Sequence, residues 1–97
     1  MRVVAKKILR EFWEKHTDSE QQLKTWYKEA SKAKWTSPND IKLEYPTASI
    51  LKGYRAVFNI CGNNYRLVVK INYFRKWVFI RFIGTHNDYN KIDASKI

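Results

Sequence analysis

Ala5, Ile8, Leu9, Phe12 and Trp13 recur at the i, i+3, i+4, i+7, i+8 spacing of one helical stripe, and Lys6, Lys7, Arg10, Glu11, Glu14 and Lys15 fill the other side. An amphipathic helix is predicted there. Asp18 and Ser19 offer a cap, Gln22 completes a Ser-x-x-Gln capping box, and Leu23, Trp26, Tyr27, Ala30 and Ala33 repeat the stripe in a second helix. With only His16 to Asp18 between them, the two helices are expected to form a hairpin that turns both stripes toward one layer. Ser37-Pro38-Asn39-Asp40 predicts a further short helix running through Leu43, with serine as cap and proline in the first helical position. From Ala56 the period shortens. Apolar runs at Ala56–Ile60, Tyr65–Tyr73 and Trp77–Thr85, broken by Gly62-Asn63-Asn64 and Phe74-Arg75-Lys76, predict an antiparallel meander, to which Val3-Val4 adds an N-terminal strand. No repeat, linker or low-complexity segment divides the chain. The expectation is one α+β domain spanning residues 1–97, with an N-terminal helical hairpin on one face of a small antiparallel sheet.

The meander's register follows from parity. When facing residue numbers sum to an odd value, odd positions on one strand share a face with even positions on the next. One face then collects Phe58, Ile60, Leu67, Val69, Ile71, Val78, Ile80 and Phe82, all apolar, and is expected to receive the helices. The other collects Asn59, Cys61, Arg66, Val68, Lys70, Phe79, Arg81 and Ile83.

Composition adds a partner class. Nineteen Lys and Arg against nine Asp and Glu give a net charge of +10, which invites a polyanion. The excess is +3 over residues 1–51 and +7 over residues 52–97, so the anion-binding surface is expected in the second half. A basic surface also attracts membranes and acidic proteins, but the 15 aromatic residues that accompany the charge favour nucleic acid. No apolar run approaches the roughly 18 residues of a membrane span, and the N-terminus has no apolar signal region, so a cytoplasmic protein with no membrane partner is expected. One cysteine and two histidines lack the spacing of a structural zinc site, so neither metal nor cofactor is expected.

On the second face Arg66, Lys70 and Arg81 meet across neighbouring strands, where like charges repel unless an anion fills the space between them. An apolar floor of Val68, Phe79 and Ile83 would strengthen their field. The alternative is that each arginine pairs with an acid such as Asp88 or Asp93, or points into water. With His86 and Tyr89 at the strand end, a phosphate site is the favoured reading. Cys61 on this face offers a thiol nucleophile, though a lone cysteine beside a turn glycine is more often inert. His16, in the helix turn, is given no role. Phe12, Trp13, Trp26 and Tyr27 lie on core stripes, and exposed aromatics such as Trp77, Phe74 or Tyr73 would be free to stack on bases.

At these residues the stretch "YRAVFNICGNNYRLVVKINYFRKWVFIRFIGTHNDYNKID", residues 54–93, resembles the core of the HigB family of bacterial toxins, within the RelE/ParE superfamily. Phe58-Asn59-Ile60 leading to Gly62-Asn63, the strand Tyr65-Arg66-Leu67-Val68, Ile80-Arg81, and Thr85-His86-x-x-Tyr89 carry the likeness. The resemblance implies a ribosome-dependent mRNA interferase whose partners are mRNA on the ribosome, ribosomal RNA and a HigA-type antitoxin with a helix-turn-helix domain. It also implies metal-independent RNA cleavage, in which the ribose 2′-hydroxyl attacks its own phosphate and the protein supplies proton transfer and charge stabilisation. Arg66, Arg81, His86 and Tyr89 are then the candidate catalytic residues. The arginines would hold the phosphate; His86 and Tyr89 would transfer protons or stack on bases. Asn59, Lys70 and Arg55 are candidate RNA-binding positions. Two other readings share the scaffold: a non-catalytic module that grips RNA or the ribosome, and a ParE-like toxin directed at DNA gyrase.

Overall fold

Both helical stripes find the same partner. In the computed structural model, which describes residues 1–97, α1 (Lys6–Lys15) and α2 (Glu20–Lys32) are joined by a single 3₁₀ turn, Thr17–Ser19. Leu9 and Trp13 of α1 and Leu23, Trp26 and Ala30 of α2 enter one buried cluster of 17 residues with Phe58, Ile60, Leu67, Val69, Ile71, Val78 and Ile80 of the sheet. Phe58 is its centre. Trp26 meets it edge-on at 5.3 Å, Tyr45 edge-on at 5.1 Å, and Trp35 stacks at 6.3 Å. Each fully buried aliphatic side chain here contributes roughly 1.5–3 kcal/mol relative to exposure.

The sheet has five strands in the order β1-β5-β4-β3-β2, with β1 Arg2–Val4, β2 Ser49–Leu51, β3 Arg55–Ile60, β4 Tyr65–Asn72 and β5 Trp77–Thr85. The meander β3-β4-β5 is antiparallel as its pattern predicts. The sheet as a whole is mixed, because β1 runs parallel to β5. A parallel neighbour needs a long crossover, and everything between β1 and β5 supplies it. The edge strand β2 was not legible in the pattern: it is three residues long, and Ser49 and Ile50 are both exposed. The short helix α3 (Pro38–Glu44) starts at Pro38 as expected, with Thr36 rather than Ser37 making the capping contacts: its N–H and hydroxyl both donate to Asp40 Oδ2 at 2.8 Å.

The capping box expected at Ser19 and Gln22 does not form. Ser19 continues the helical backbone of the 3₁₀ turn (φ −89°, ψ −12°) instead of adopting the extended geometry of a cap. Its hydroxyl, fully buried, donates to the His16 carbonyl at 2.7 Å. Gln22 is freed to accept from the Cys61 N–H at 2.7 Å, which ties α2 to the β3–β4 turn. The same contact moves Cys61 off the second face. At φ 53°, its thiol points back to the Asp18 carbonyl at 3.3 Å, on the helix side.

Both turns of the meander hold four residues, and their facing pairs sum to odd values as the parity argument assumes, Ile60 with Tyr65 and Asn72 with Trp77. Parity fails once, inside β5. Val69 faces Ile80 while Val68 faces Phe82, so Arg81 is an extra, unpaired residue in a β-bulge. Beyond it every side chain changes face. Phe82, expected in the helix-covered core, packs instead on Val57 and Val68, and Ile83, expected on the second face, packs against the main core. Gly84 then stands opposite Arg66, and a Cβ there would lie 2.5 Å from the Phe82 ring, so the absent side chain is what lets that ring fold over.

Candidate active site

The second face is partly closed by the end of the chain. Ala94 and, less deeply, Ile97 and Tyr89 pack with Leu51 and Phe82 over Val57 and Val68, making a small second cluster. Val68 is therefore buried and Ile83 has changed face, so of the three residues expected to floor a cationic site only Phe79 remains accessible there. The cations fall into two groups on either side of this plug.

Arg66, His86 and Tyr89 are gathered at the β3–β4 turn. Arg66 lies between Asn59 of β3 and Gly84 of β5, and its Nη1 donates to the carbonyls of Asn63 at 3.0 Å and Tyr65 at 3.2 Å. His86 opens α4 (His86–Tyr89) with Thr85 as cap, the Asp88 N–H donating to Thr85 Oγ1 at 3.1 Å. The His86 N–H donates to the Asn64 carbonyl at 3.0 Å, so the helix and the arginine are fixed to the same turn. One helical turn on, the Tyr89 ring faces Arg66, with the guanidinium carbon 6.0 Å from its centroid. Arg66 and Tyr89 are half-buried and the His86 side chain is exposed. A preorganised guanidinium, an aromatic hydroxyl and an imidazole thus share one accessible rim.

Lys70 and Arg81 form the second group, both exposed and both lining an open groove with Phe79. Lys70 lies four residues along β4 from Arg66, roughly 13 Å, and Arg81 three residues along β5 from Gly84, roughly 10 Å. The three cations therefore line a path and do not ring a single point. Asn59 is half-buried and directs its amide to the Thr47 carbonyl at 3.4 Å. Arg55 uses its guanidinium to hold the chain end, with Nε donating to the Ile97 carbonyl at 2.6 Å and Nη1 to Gly53 at 3.0 Å.

Arg66, Lys70 and Arg81 have no acid partner. The ion pairs of the molecule are Lys7–Glu11, Arg10–Glu14, Lys24–Glu20 and Lys96–Asp93. Pairing with Asp88 or Asp93 is thus not what explains the arginines. Asp93 instead accepts from the hydroxyl and N–H of Ser95, which hold its carboxyl below the usual range. Cys61 is removed from the chemistry as well, since burial and, after it, the neighbouring Asp18 push its thiol up, away from the reactive thiolate. His16, given no role from its place in the helix turn, stacks on Phe12 at 4.3 Å and meets Tyr65 edge-on at 5.3 Å.

Residues 19–92 match the model of a protein family described as the HigB toxin, the RelE-like toxic component of a toxin–antitoxin system. The chain belongs to the HigB toxin family. The matched span holds α2 to α4, strands β2 to β5 and every candidate residue named above. Among curated relatives, the mRNA interferase HigB of Escherichia coli O6:H1 is 25% identical over 95 residues, covering 95% of this chain and 91% of the relative. As a HigB family member the chain has an antitoxin for a partner. No helix is long and apolar enough to cross a membrane.

What the sequence reading missed was the bulge and the plug. The first has no compositional mark, because "VFIRFIGT" is apolar at nearly every position and offers a core face in either register. The second did have a signal in the spaced apolar residues Ile92, Ala94 and Ile97, which follow the last predicted strand.

Proposed function

We propose that this protein is an endoribonuclease that cuts mRNA on the ribosome, without metal, through attack of the ribose 2′-hydroxyl on the adjacent phosphate, and that a HigA-type helix-turn-helix antitoxin neutralises it. The relative named as an mRNA interferase supports the reaction class. The observation that carries the site is Arg66: a guanidinium with no carboxylate partner, fixed by two turn carbonyls and the Tyr89 ring beside His86. Held in place before the substrate arrives, it stabilises charge developing on the phosphate oxygens at no cost of reorganisation. Arg81, the exposed extra residue of the bulge, adds a second guanidinium along the strand's path. His86 and Tyr89 carry the proton transfers, imidazole and phenol each offering a group that can give or take a proton. The ribosome supplies what the open site lacks, a fixed register that brings one 2′-hydroxyl in line with its phosphate.

Primer extension on translated mRNA, with naked RNA and excess chelator as parallel arms, tests this. Cuts on the ribosome are expected to persist in chelator and to be scarce on naked RNA. Arg66→Ala is expected to lower cleavage roughly 10²–10³-fold, as removal of one preorganised donor does, with melting unchanged. Translation blocked with no cuts in any arm would make the protein a binding module that acts by occupancy.

A further inference from the structure

The groove that holds Lys70 and Arg81 has a volume of about 680 Å³ and is walled by Tyr54, Tyr73, Phe74 and Phe79, with no acidic residue in its lining. Two of these aromatics are held outward. Phe74 is 92% exposed at the tip of the β4–β5 turn, where the Arg75 N–H donates to Asn72 Oδ1 at 2.9 Å. Tyr54 is 69% exposed and stands at φ 62°, a left-handed conformation that a bulky residue rarely adopts. Its carbonyl accepts from the Ile71 N–H at 2.8 Å, which pins that conformation to β4. Phe79 sits deeper, directly opposite Lys70. The phosphate chemistry proposed for Arg66, His86 and Tyr89 has no use for this surface, which lies toward the other end of the same two strands.

We propose that this groove is a stacking subsite for an unpaired nucleobase of the substrate RNA, seated between Tyr54 and Phe74 over Phe79, with its phosphate on Lys70 and Arg81. The inference rests on the endoribonuclease reading and extends it to how the substrate is gripped. Cations alone would suit any polyanion, and an apolar groove alone would suit any apolar side chain. Aromatic faces alternating with unpaired cations match the two parts of a single-stranded nucleotide, its base and its phosphate. The volume falls within the roughly 300–1,000 Å³ of sites that enclose small organic groups. Position agrees as well. The roughly 13 Å between Arg66 and Lys70 would hold up to about four stacked nucleotides, and fewer of a stretched strand. One chain can therefore reach from the groove to the cleavage site.

The test is binding without chemistry. A fluorescein-labelled 2′-O-methyl oligopyrimidine of roughly eight nucleotides, within the length such surfaces occupy, has no free 2′-hydroxyl and cannot be cut. Its affinity for the full chain is measured by anisotropy across a salt series. Phe74→Ala and Tyr54→Ala are each expected to weaken binding roughly 5- to 150-fold, the range for loss of one base–aromatic stack. Phe74→Tyr should restore it, Phe74→Leu should not, and the salt slope should stay unchanged because no phosphate contact is lost. Both side chains are exposed, and thermal melting of each variant is the check that it folds. Affinity within twofold of the parent in both alanine variants, or full rescue by leucine, overturns the subsite. So does retention of oligonucleotide affinity with loss of neutralisation by the antitoxin, which would make the groove a protein-docking surface. Because nothing is cleaved in this assay, absence of mRNA cutting in the ribosomal assay counts against the enzyme reading alone.

Discussion

The helix-covered face of the sheet presents Phe58, Leu67, Val69, Ile71, Val78 and Ile80 to Leu9, Leu23 and Trp26 without a polar break. The opposite face carries Arg66, Lys70 and Arg81 around a small apolar plug closed by Ala94. The first face is organised by burial, which is non-directional and rewards any well-filled arrangement of apolar side chains. The second keeps cations that no acid on the protein neutralises, on a chain already at +10. Placing like charges on adjacent strands does not stabilise a sheet. Their presence is what the proposed RNA site would use, and the division teaches where to read stability and where to read function.

The sharpest way to break the comparison is a substitution at the centre of the first face. Trp26 is 2% exposed and packs edge-on against Phe58, so Trp26→Ala should cost about 3–5 kcal/mol in urea denaturation. Its indole N–H is buried with no acceptor, so no hydrogen bond is lost with the ring and the cost is one of packing. If the faces are distinct, Arg66→Ala, which is expected to remove cleavage, should leave the same denaturation midpoint in place.

A smaller effect is expected at the plug, where the two faces come closest in character. Ala94 is 6% exposed against Val57 and Val68, and Ala94→Asp would bury a carboxylate without a partner. A loss of roughly 3 kcal/mol is expected. Because Tyr89 packs on the same cluster, cleavage by the folded fraction should fall as well. Intact activity at full occupancy of the folded state would show that α4 is positioned by Thr85 and the Asn64 carbonyl alone.

The smallest effect concerns the polar seam that closes the helix face. The Tyr65 hydroxyl donates to Asp18 Oδ1 at 2.7 Å, and this bond, followed by burial, pushes the phenol up to about 12. A folded-state value above the ordinary 10 means that the neutral donor is favoured by folding. The stabilisation is complete below pH 10 and is lost as pH rises through about 12. Melting followed across that window should show a decline for the parent that is shallower for Tyr65→Phe. Equal slopes would mean that the seam holds α1 and α2 on the sheet by shape alone.

The helical stripes from Ala5 to Trp13 and Leu23 to Ala33, the start of α3 at Pro38 and the meander from Ala56 to Thr85 were determined by the sequence by itself, because each is a local period matched to one element. So was the face of Arg66, since the β3–β4 register depends only on the parity of a short turn. Tertiary structure decided the rest. The bulge at Arg81 depends on how β5 must bend against β4, and a one-residue slip exchanges Phe82 and Ile83 between faces at no local cost. The parallel pairing of β1 with β5 and the recruitment of Gln22 by Cys61 join residues far apart in the chain. The plug at Ala94 and the separation of Lys70 and Arg81 from Arg66 follow from where the last residues pack. Contacts of that kind are selected by the shape of the finished surface, which no local period encodes.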